Sequence, residues 1–356
     1  MKLNYEQEQN LVSGILLASG FCEDDAKTLG KVIAHSDFTG VFSHGLSRLT
    51  RYLRQIKAGS LNKDAEFKTV LDDGPLLVCD GDNGFGIVSV CKAYDDALIK
   101  ARENGIAFAT GRHNANIGCG SYYGWRAAED DMICILGANT YAFSSPYGGA
   151  DRLIGTNPII FACPAGEKYP IVMDISTTNV AMGKIQAMER EGKSIPDTWA
   201  KDYDGNPTRN PAEAFSLCSI AGHKGYGLAV MVDVLSTMLS NACYGADIGL
   251  FSKLEKENTG FFMILIDPSK FMPIEEFKSN VDRYIAMMKN SRKAEGVEEI
   301  FMPGEIEYRN FKENCAEGIS FSAALEKEIC DLSITLGIAP EGIDFSSLVC
   351  HFNPNL

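Results

Sequence analysis

The hydrophobic period of this chain switches from helical to strand-like around residues 67–72, and that switch decides what it can fold into. Before it, three segments carry apolar residues at helical spacing: about 4–19, 24–36 behind the acidic start Glu23-Asp24-Asp25, and 43–57. Then come short β-rich runs, Phe67–Leu71 and Leu76–Asp80, split by the turn signal Asp72-Asp73-Gly74-Pro75. A helical pattern at 86–103 precedes the apolar runs Ile106–Ala109, Met132–Leu136, Ile159–Ala162 and Ile171–Met173. A long apolar helix is expected around 222–240, a strand at Phe261–Ile266, a helix near 274–289 and a last helix over 316–337. Strands interleaved with helices make the class mixed α/β, and 356 residues are enough for two domains.

The third helical segment carries the first chemical signal. Ser43-His44-Gly45-Leu46-Ser47-Arg48-Leu49-Thr50-Arg51-Tyr52 puts an imidazole, a guanidinium and a phenol four residues apart. With Ser43 as N-cap and Gly59 as the stop, one helix would run from Ser43 to about Lys57. Residues i, i+4 and i+8 share a face, so His44, Arg48 and Tyr52 are expected to point the same way. The first could shuttle a proton, the second grip a carboxylate, the third orient an oxygen. A basic solvated face, with Arg51 and Arg54 nearby, would explain the same residues without chemistry.

Composition narrows the partners. A formal net charge of -14 with no Lys/Arg-rich block disfavours nucleic acid and anionic lipid, so an anionic substrate needs a local basic pocket. The eleven cysteines are scattered, odd in number and never in a C-x-x-C pair, which reads as reduced, mostly buried thiols of a cytoplasmic protein. The apolar patch Leu11–Ala18 follows Glu6 and Glu8 rather than basic residues, so it is an amphipathic helix and not a signal peptide. No apolar run reaches the roughly 18 residues of a membrane span.

The nucleotide and metal motifs are mostly imitations. Gly118-Cys119-Gly120-Ser121-Tyr122-Tyr123-Gly124 follows an apolar run and opens a helical pattern, yet it breaks the G-x-G-x-x-G spacing. Where an acidic residue should close the next strand, Asn139 and Thr140 stand instead. Gly183-Lys184 and His223-Lys224-Gly225 lack the upstream glycine and following Ser/Thr of a P-loop. The histidines His35, His44, His113, His223 and His351 include no pair at ligand spacing, so no metal is expected. There is no G-x-S-x-G elbow for a serine nucleophile. What remains is a set of small-residue loops rich in hydroxyls and amides, suited to phosphate recognition by backbone N–H groups.

Those loops resemble, in order, the malate/L-lactate dehydrogenase family of the second type: Gly148-Gly149, Gly155-Thr156-Asn157-Pro158, Asp174-Ile175-Ser176-Thr177-Thr178-Asn179-Val180, Gly183-Lys184-Ile185, Ile195-Pro196 with Trp199-Ala200, Asp202 and Gly205, and Lys224-Gly225-Tyr226-Gly227-Leu228. The likeness continues through Ile266-Asp267-Pro268 and Pro303-Gly304-Glu305 to Leu336-Gly337-Ile338. The resemblance implies a non-Rossmann nicotinamide-binding α/β fold. A sheet-rich cofactor domain, 73–309, would sit beside a helical domain of 1–72 plus 310–356. It also implies a homodimer with active sites near the subunit interface. Ser-His-Gly with Arg four positions after the His belongs to that family's active site, which favours the chemical reading of His44, Arg48 and Tyr52. By the same resemblance, Thr140, Asp174, Ser176, Thr177, Thr178, Lys224, Gly304 and Glu305 look like cofactor contacts; a plain helix cap is the other reading of Ser176-Thr177-Thr178.

The resemblance implies hydride transfer between NAD or NADP, with NAD put first, and C2 of a small 2-oxo or 2-hydroxy acid. Arg48 would hold the carboxylate and His44 donate the proton, while Tyr52 polarises. A capped helix start and Arg48 would both disfavour the charged form of His44. One departure stands out: the family's Asn-x-His-Phe-Gly segment is Asn114-Ala115-Asn116-Ile117-Gly118 here, so a second active-site histidine becomes Asn116, which cannot titrate. His113 could compensate, or it could be an ordinary strand-end histidine. Ser219-Ile220-Ala221-Gly222 and a short 245–260 segment also depart from the family, which leaves open a cyclic imino acid reductase, a ureidoglycolate dehydrogenase or a dinucleotide-binding paralogue without turnover.

Overall fold

The computed structural model describes residues 1–250 and 253–338; Cys350, His351 and the remainder of the expected C-terminal helical region lie outside the described residues. By its internal contacts the chain forms two compact units. One holds residues 1–57 and those from Glu307 onward, the other Ala58–Ile306.

In the first unit a short strand β1 (Lys2–Leu3) leads into α1 (Tyr5–Ala18), whose cap Asn4 accepts from Gln7 N while the Gln7 side chain returns to Asn4 N, each at 2.9 Å. Helix α2 (Glu23–Phe38) starts with three acids at its positive end. Leu11, Ile15, Leu29 and Ile33 are fully buried, at helical spacing on α1 and on α2, and each such side chain contributes about 1.5–3 kcal/mol.

The single helix expected over 43–57 is broken. A 3-10 turn at Phe42–His44, an extended Gly45 and a second 3-10 turn at Leu46–Arg48 precede α3 (Leu49–Lys57). Asp37 holds the broken segment. Its buried carboxylate takes the Leu46 N–H at 2.6 Å, the donor that a helix capped at Ser43 would have left to the cap's own hydroxyl.

The second unit is built on β2 (Lys68–Asp73), β3 (Leu76–Gly84), α4 (Gly86–Asn104), β4 (Ile106–Asn114), α5 (Gly120–Glu129), β5 (Ile133–Ala138), β6 (Ile159–Cys163), β7 (Ile171–Ile175) and α6 (Met182–Arg190). A small antiparallel sheet of β8 (Ala200–Lys201), β9 (Pro207–Thr208) and β10 (Ser216–Leu217) follows, then α7 (His223–Asp233), β11 (Thr259–Ile266) and α8 (Ile274–Lys289). Residues 58–72 cluster with this unit, and β2 forms one edge of its seven-stranded sheet, order β2-β3-β4-β11-β5-β6-β7. Only β3 and β4 run parallel, joined by the α4 crossover. The central β11 is almost wholly apolar because α4 and the turn at Val234–Met238 pack on the sheet there; Phe261 and Phe262 are fully buried, opposite Gly111 on β4 and Gly137 on β5.

Two further expectations are corrected. The long helix at 222–240 ends as α7 at Asp233 and continues as a π-turn at Val234–Met238. The last helix, expected over 316–337, is two: α9 (Glu305–Glu317) and α10 (Ala323–Thr335), with β12 (Ile319–Ser320) between them pairing with β1. Gly318, at φ +78, ends α9 by donating to the carbonyl of Asn314, and Ser322 caps α10 through Leu325 N.

Candidate active site

His44 and Arg48 converge on Ser43. The imidazole Nδ1 lies 3.0 Å from Ser43 Oγ, so Ser43 steers the ring instead of capping a helix. Arg48 donates through Nε to the backbone carbonyl of Ser43. Among the described residues no hydrogen bond or ion pair engages the two terminal guanidinium nitrogens, which leaves a parallel pair of donors of the geometry a carboxylate accepts. Tyr52, one turn along α3, is 5% exposed and forms part of the core of that helix. The expected common face of three side chains is thus interrupted at Gly45.

The supports of this segment come from the same unit. Asn310 and Asn314 on α9 donate to the carbonyls of Thr39 and Phe38, fixing the end of α2 from which the segment departs. The electrostatics favour a neutral imidazole. Burial pushes His44 down to about 4, and the guanidinium groups of Arg48 and Arg51 act in the same direction. No helix dipole is involved, since no helix begins at Ser43.

Asn116 follows β4 in the second unit, half-buried. Its Oδ1 accepts the Gly118 N–H at 2.8 Å, which leaves the amide Nδ2 as a donor. His113 does not replace the missing histidine: its Nδ1 lies 2.9 Å from both oxygens of Asp80, which also takes Arg112 Nε at 3.0 Å. It is a strand-end residue at φ +54, held in that ion cluster.

Four of the expected cofactor residues meet around Thr156. Its carbonyl accepts Thr177 N at 2.9 Å, Thr177 Oγ1 at 3.0 Å and Ser176 Oγ at 3.1 Å. Its own N–H reaches Thr140 Oγ1 at 2.9 Å, and Thr178 Oγ1 lies 2.7 Å from Ser176 Oγ. Asn157, at φ +29, ties the same loop down by accepting Thr140 N with Oδ1 and donating to the Ala229 carbonyl on α7. The helix-cap reading of 176–178 is therefore wrong; α6 begins later, at Met182, after Ala181. Ile220 N donates to the Thr177 carbonyl and Gly225 N to the Ile220 carbonyl, which fixes the start of α7 beside the network. Lys224 is the second residue of α7, exposed, and without an ion pair among the described residues.

The other expected contacts carry structure. Asp174 Oδ2 accepts the Ser121 N–H at 2.7 Å in the first turn of α5. That explains the imitation phosphate loop: a carboxylate already stands at the helix start, and a Cβ on Gly120 would lie 2.4 Å from Ile160 Cγ1, so the glycine serves helix–sheet packing. Gly304 sits at φ +82 against the Val172 carbonyl, where a Cβ would approach to 2.4 Å. Glu305 is 1% exposed, with Oε2 on Met302 N at 3.0 Å and Oε1 paired with Lys289.

Sequence reasoning passed over Ser43 as the common partner of His44 and Arg48, over Asp37, and over Thr156 and Asn157 as the hub of the hydroxyl network. The Gly155-Thr156-Asn157-Pro158 turn was the available signal, since Asn before Pro in a polar loop is a frequent home for a left-handed or hydrogen-bonding turn residue. Among the described residues no cluster of three or more His, Cys, Asp or Glu is placed to hold a metal ion, and no helix is long and apolar enough to cross a membrane.

Comparison with known proteins identifies the family of the chain. The malate/L-lactate dehydrogenase family profile matches residues 3–330. The L-sulfolactate dehydrogenase of Methanocaldococcus jannaschii is 36% identical over 345 residues, 95% of this chain and 98% of that protein. The malate dehydrogenase of Pyrococcus horikoshii is 33% identical over 334 residues, 91% and 92% of the two chains. The crystal structure of malate dehydrogenase from Entamoeba histolytica superposes with a TM-score of 0.90 at 26% identity, covering 95% of this chain and 99% of that one. The chain belongs to the malate/L-lactate dehydrogenase family and is a dehydrogenase acting by hydride transfer on a small 2-hydroxy acid.

Proposed function

We propose that Arg48 binds the substrate carboxylate, that His44 gives and takes the proton of the C2 oxygen, and that NAD, or failing that NADP, is the second substrate. The observation that carries this reading is the Ser43-centred pair: a guanidinium anchored at Nε with its terminal nitrogens unengaged, four residues from an imidazole whose Nδ1 is already held. Arg48 fixes which face of C2 is presented, and the imidazole stands ready to protonate an alkoxide as it develops. With His44 pushed down to about 4, the free enzyme holds it neutral; a bound carboxylate opposes the arginines and raises it. Tyr52, buried within α3, stays part of the core of that helix.

A dinucleotide fits the second unit. Ser176, Thr177, Thr178 and Thr140 gather hydroxyls and backbone donors in one loop cluster, and Lys224, without an ion pair among the described residues, offers a cation to a pyrophosphate. Asp174 and Glu305, with Gly304, brace the elements around it. When bound, the dinucleotide supplies or accepts the hydride. Asn116, with Nδ2 left to donate, holds the substrate oxygen without titrating. Because a donor amide tolerates either oxygen or nitrogen at C2, reduction of a 2-imino acid is the second reading.

We also infer a homodimer. Leu228, Met231, Val234 and Met238 form a stripe of exposed large apolar side chains along α7 and its π-turn, at a spacing that another protein surface would cover. All ten described cysteines are free thiols, in keeping with a cytoplasmic enzyme.

The test is nicotinamide absorbance with purified protein, NADH or NADPH, and a panel of oxaloacetate, pyruvate, sulfopyruvate and cyclic imino acids. Oxidation with one 2-oxo acid is expected. Turnover with the cyclic imines alone would favour the second reading. Dinucleotide binding without turnover on any substrate would point to a non-catalytic paralogue.

A further inference from the structure

The buried acids Asp37 and Glu8 are not used by the reaction just described, yet they stand directly beneath it. Asp37, near the end of α2, is 2% exposed; Glu8, on α1, is 0% exposed. Asp37 Oδ2 takes the Leu46 N–H at 2.6 Å, midway in sequence between His44 and Arg48. Gly45 lies so close that a Cβ there would be 1.9 Å from Asp37 Oδ1. The chain between the imidazole and the guanidinium is therefore pinned onto this carboxylate, and only a residue without a side chain lets it approach. The alternative for residues 43–57 was one continuous helix, which would place His44 and Arg48 one turn apart along a single face. In the structure Asp37, not the Ser43 hydroxyl, takes the Leu46 N–H, and the segment bends at Gly45 onto it.

Glu8 explains how a carboxylate survives there. Both of its oxygens are buried with no donor if both acids are ionised, and its neighbour is Asp37. One proton between the two acids satisfies the pair. Burial and Asp37 hold Glu8 well above the usual carboxylate range; burial also raises Asp37, to about 6, against the bonds from Glu8 and the Leu46 N–H, which favour its charged form. Glu8 is thus the protonated member and Asp37 the acceptor of the Leu46 bond.

We propose that Asp37 is a positioning residue that sets the spacing of His44 and Arg48 by anchoring Leu46 across Gly45, and that Glu8 holds it in place through a shared proton. The proposal rests on the reading of His44 and Arg48 as the substrate-handling pair. It acts on geometry alone, and a misplacement of about 1 Å in such a pair can cost on the order of a hundredfold in rate.

The experiment compares D37A, D37N, E8Q and G45A with H44A and R48A, each assayed for kcat, for KM of the 2-oxo acid, for dinucleotide Kd by fluorescence and for Tm. D37A is expected to lose about 30- to 100-fold in kcat/KM while dinucleotide Kd stays within about twofold. D37N keeps an acceptor for Leu46 and should recover most of that loss. E8Q keeps a donor for Asp37 and should stay within about threefold of the parent. G45A, which pushes the segment off an intact Asp37, should mimic D37A. A folded D37A with parental kcat and KM, whatever its Tm, overturns the proposal; if D37A does not fold, G45A with parental kinetics does. E8Q as impaired as D37A overturns the shared proton. Full activity in H44A and R48A would instead overturn the underlying reading of the site, which no result for Asp37 can do.

Discussion

Arg48 is tied by Nε to the carbonyl of Ser43, the residue whose hydroxyl holds His44 Nδ1, so one serine sets both the carboxylate clamp and the proton carrier. This coupling gives R48K a specific signature. Lysine cannot reproduce the Nε anchor together with two further parallel donors, so the clamp is lost although the charge remains. A fall in kcat/KM of about 10²–10³-fold is expected, with dinucleotide affinity unchanged. Steady-state kinetics and fluorescence titration check it; parental kcat/KM in R48K would remove Arg48 from carboxylate binding.

The same segment separates what was legible in the sequence from what was not. The residue types and their spacing were readable, because a helix is the default for apolar residues at that period, and the period of α1, α2, α4 and α8 was followed closely by the structure. The break at Gly45 was not readable, because the carboxylate that anchors Leu46 there belongs to Asp37, on another helix. The sheet strands were legible as apolar runs, but the central place of β11, late in sequence, follows from long-range pairing that no local pattern encodes. The hub at Thr156 was legible only as a turn: its bonds run to a backbone carbonyl, which has no sequence signal of its own.

The pH dependence of turnover follows from the neutral imidazole. In the free enzyme His44 sits at about 4, below its ordinary 6.5, through burial first and then Arg48 and Arg51. At pH 7 the free enzyme therefore has little acid form, and the carboxylate that binds Arg48 raises it. The acidic group in kcat/KM for 2-oxo acid reduction should appear near 4, and that in kcat at higher pH. H44N should lower kcat by about 10²–10⁴-fold and abolish this group in both profiles. The same apparent pKa in both profiles would sink the idea that substrate charges the imidazole.

Asn116 yields a prediction because its two amide atoms have separate tasks. Oδ1 is committed to the Gly118 N–H, so only Nδ2 can face a substrate oxygen. N116D keeps the acceptor and the turn but replaces the donor by a carboxylate that repels an anionic substrate. We expect kcat/KM to fall by about 10- to 100-fold with little change in Tm, and the loss to shrink at acid pH, where the new group can be protonated. If N116D keeps parental kcat/KM at pH 7, Asn116 supports the turn and nothing more.

Stability should respond to pH with opposite signs from two groups in the helical unit. Burial pushes His35 down to about 3. The unfolded chain takes up that proton near 6.5, the folded chain only near 3, so stability falls as pH drops through this window. Glu8 is the reverse case: burial and Asp37 hold its folded pKa well above the ordinary 4.5. The folded state keeps a proton that the unfolded state releases, so its contribution is complete below about 4.5 and is lost as pH rises through the folded value. E8Q removes only the second slope. The Tm of the parent should therefore fall below that of E8Q toward pH 9. Below about pH 4.5, where Glu8 keeps its proton in both folded and unfolded chain, the two proteins should melt in parallel, on the acid limb that His35 and His44 share. Differential scanning calorimetry from pH 4 to 9 reads both limbs, and a Tm gap that stays constant across the range would mean that Glu8 is not the group whose proton the fold retains.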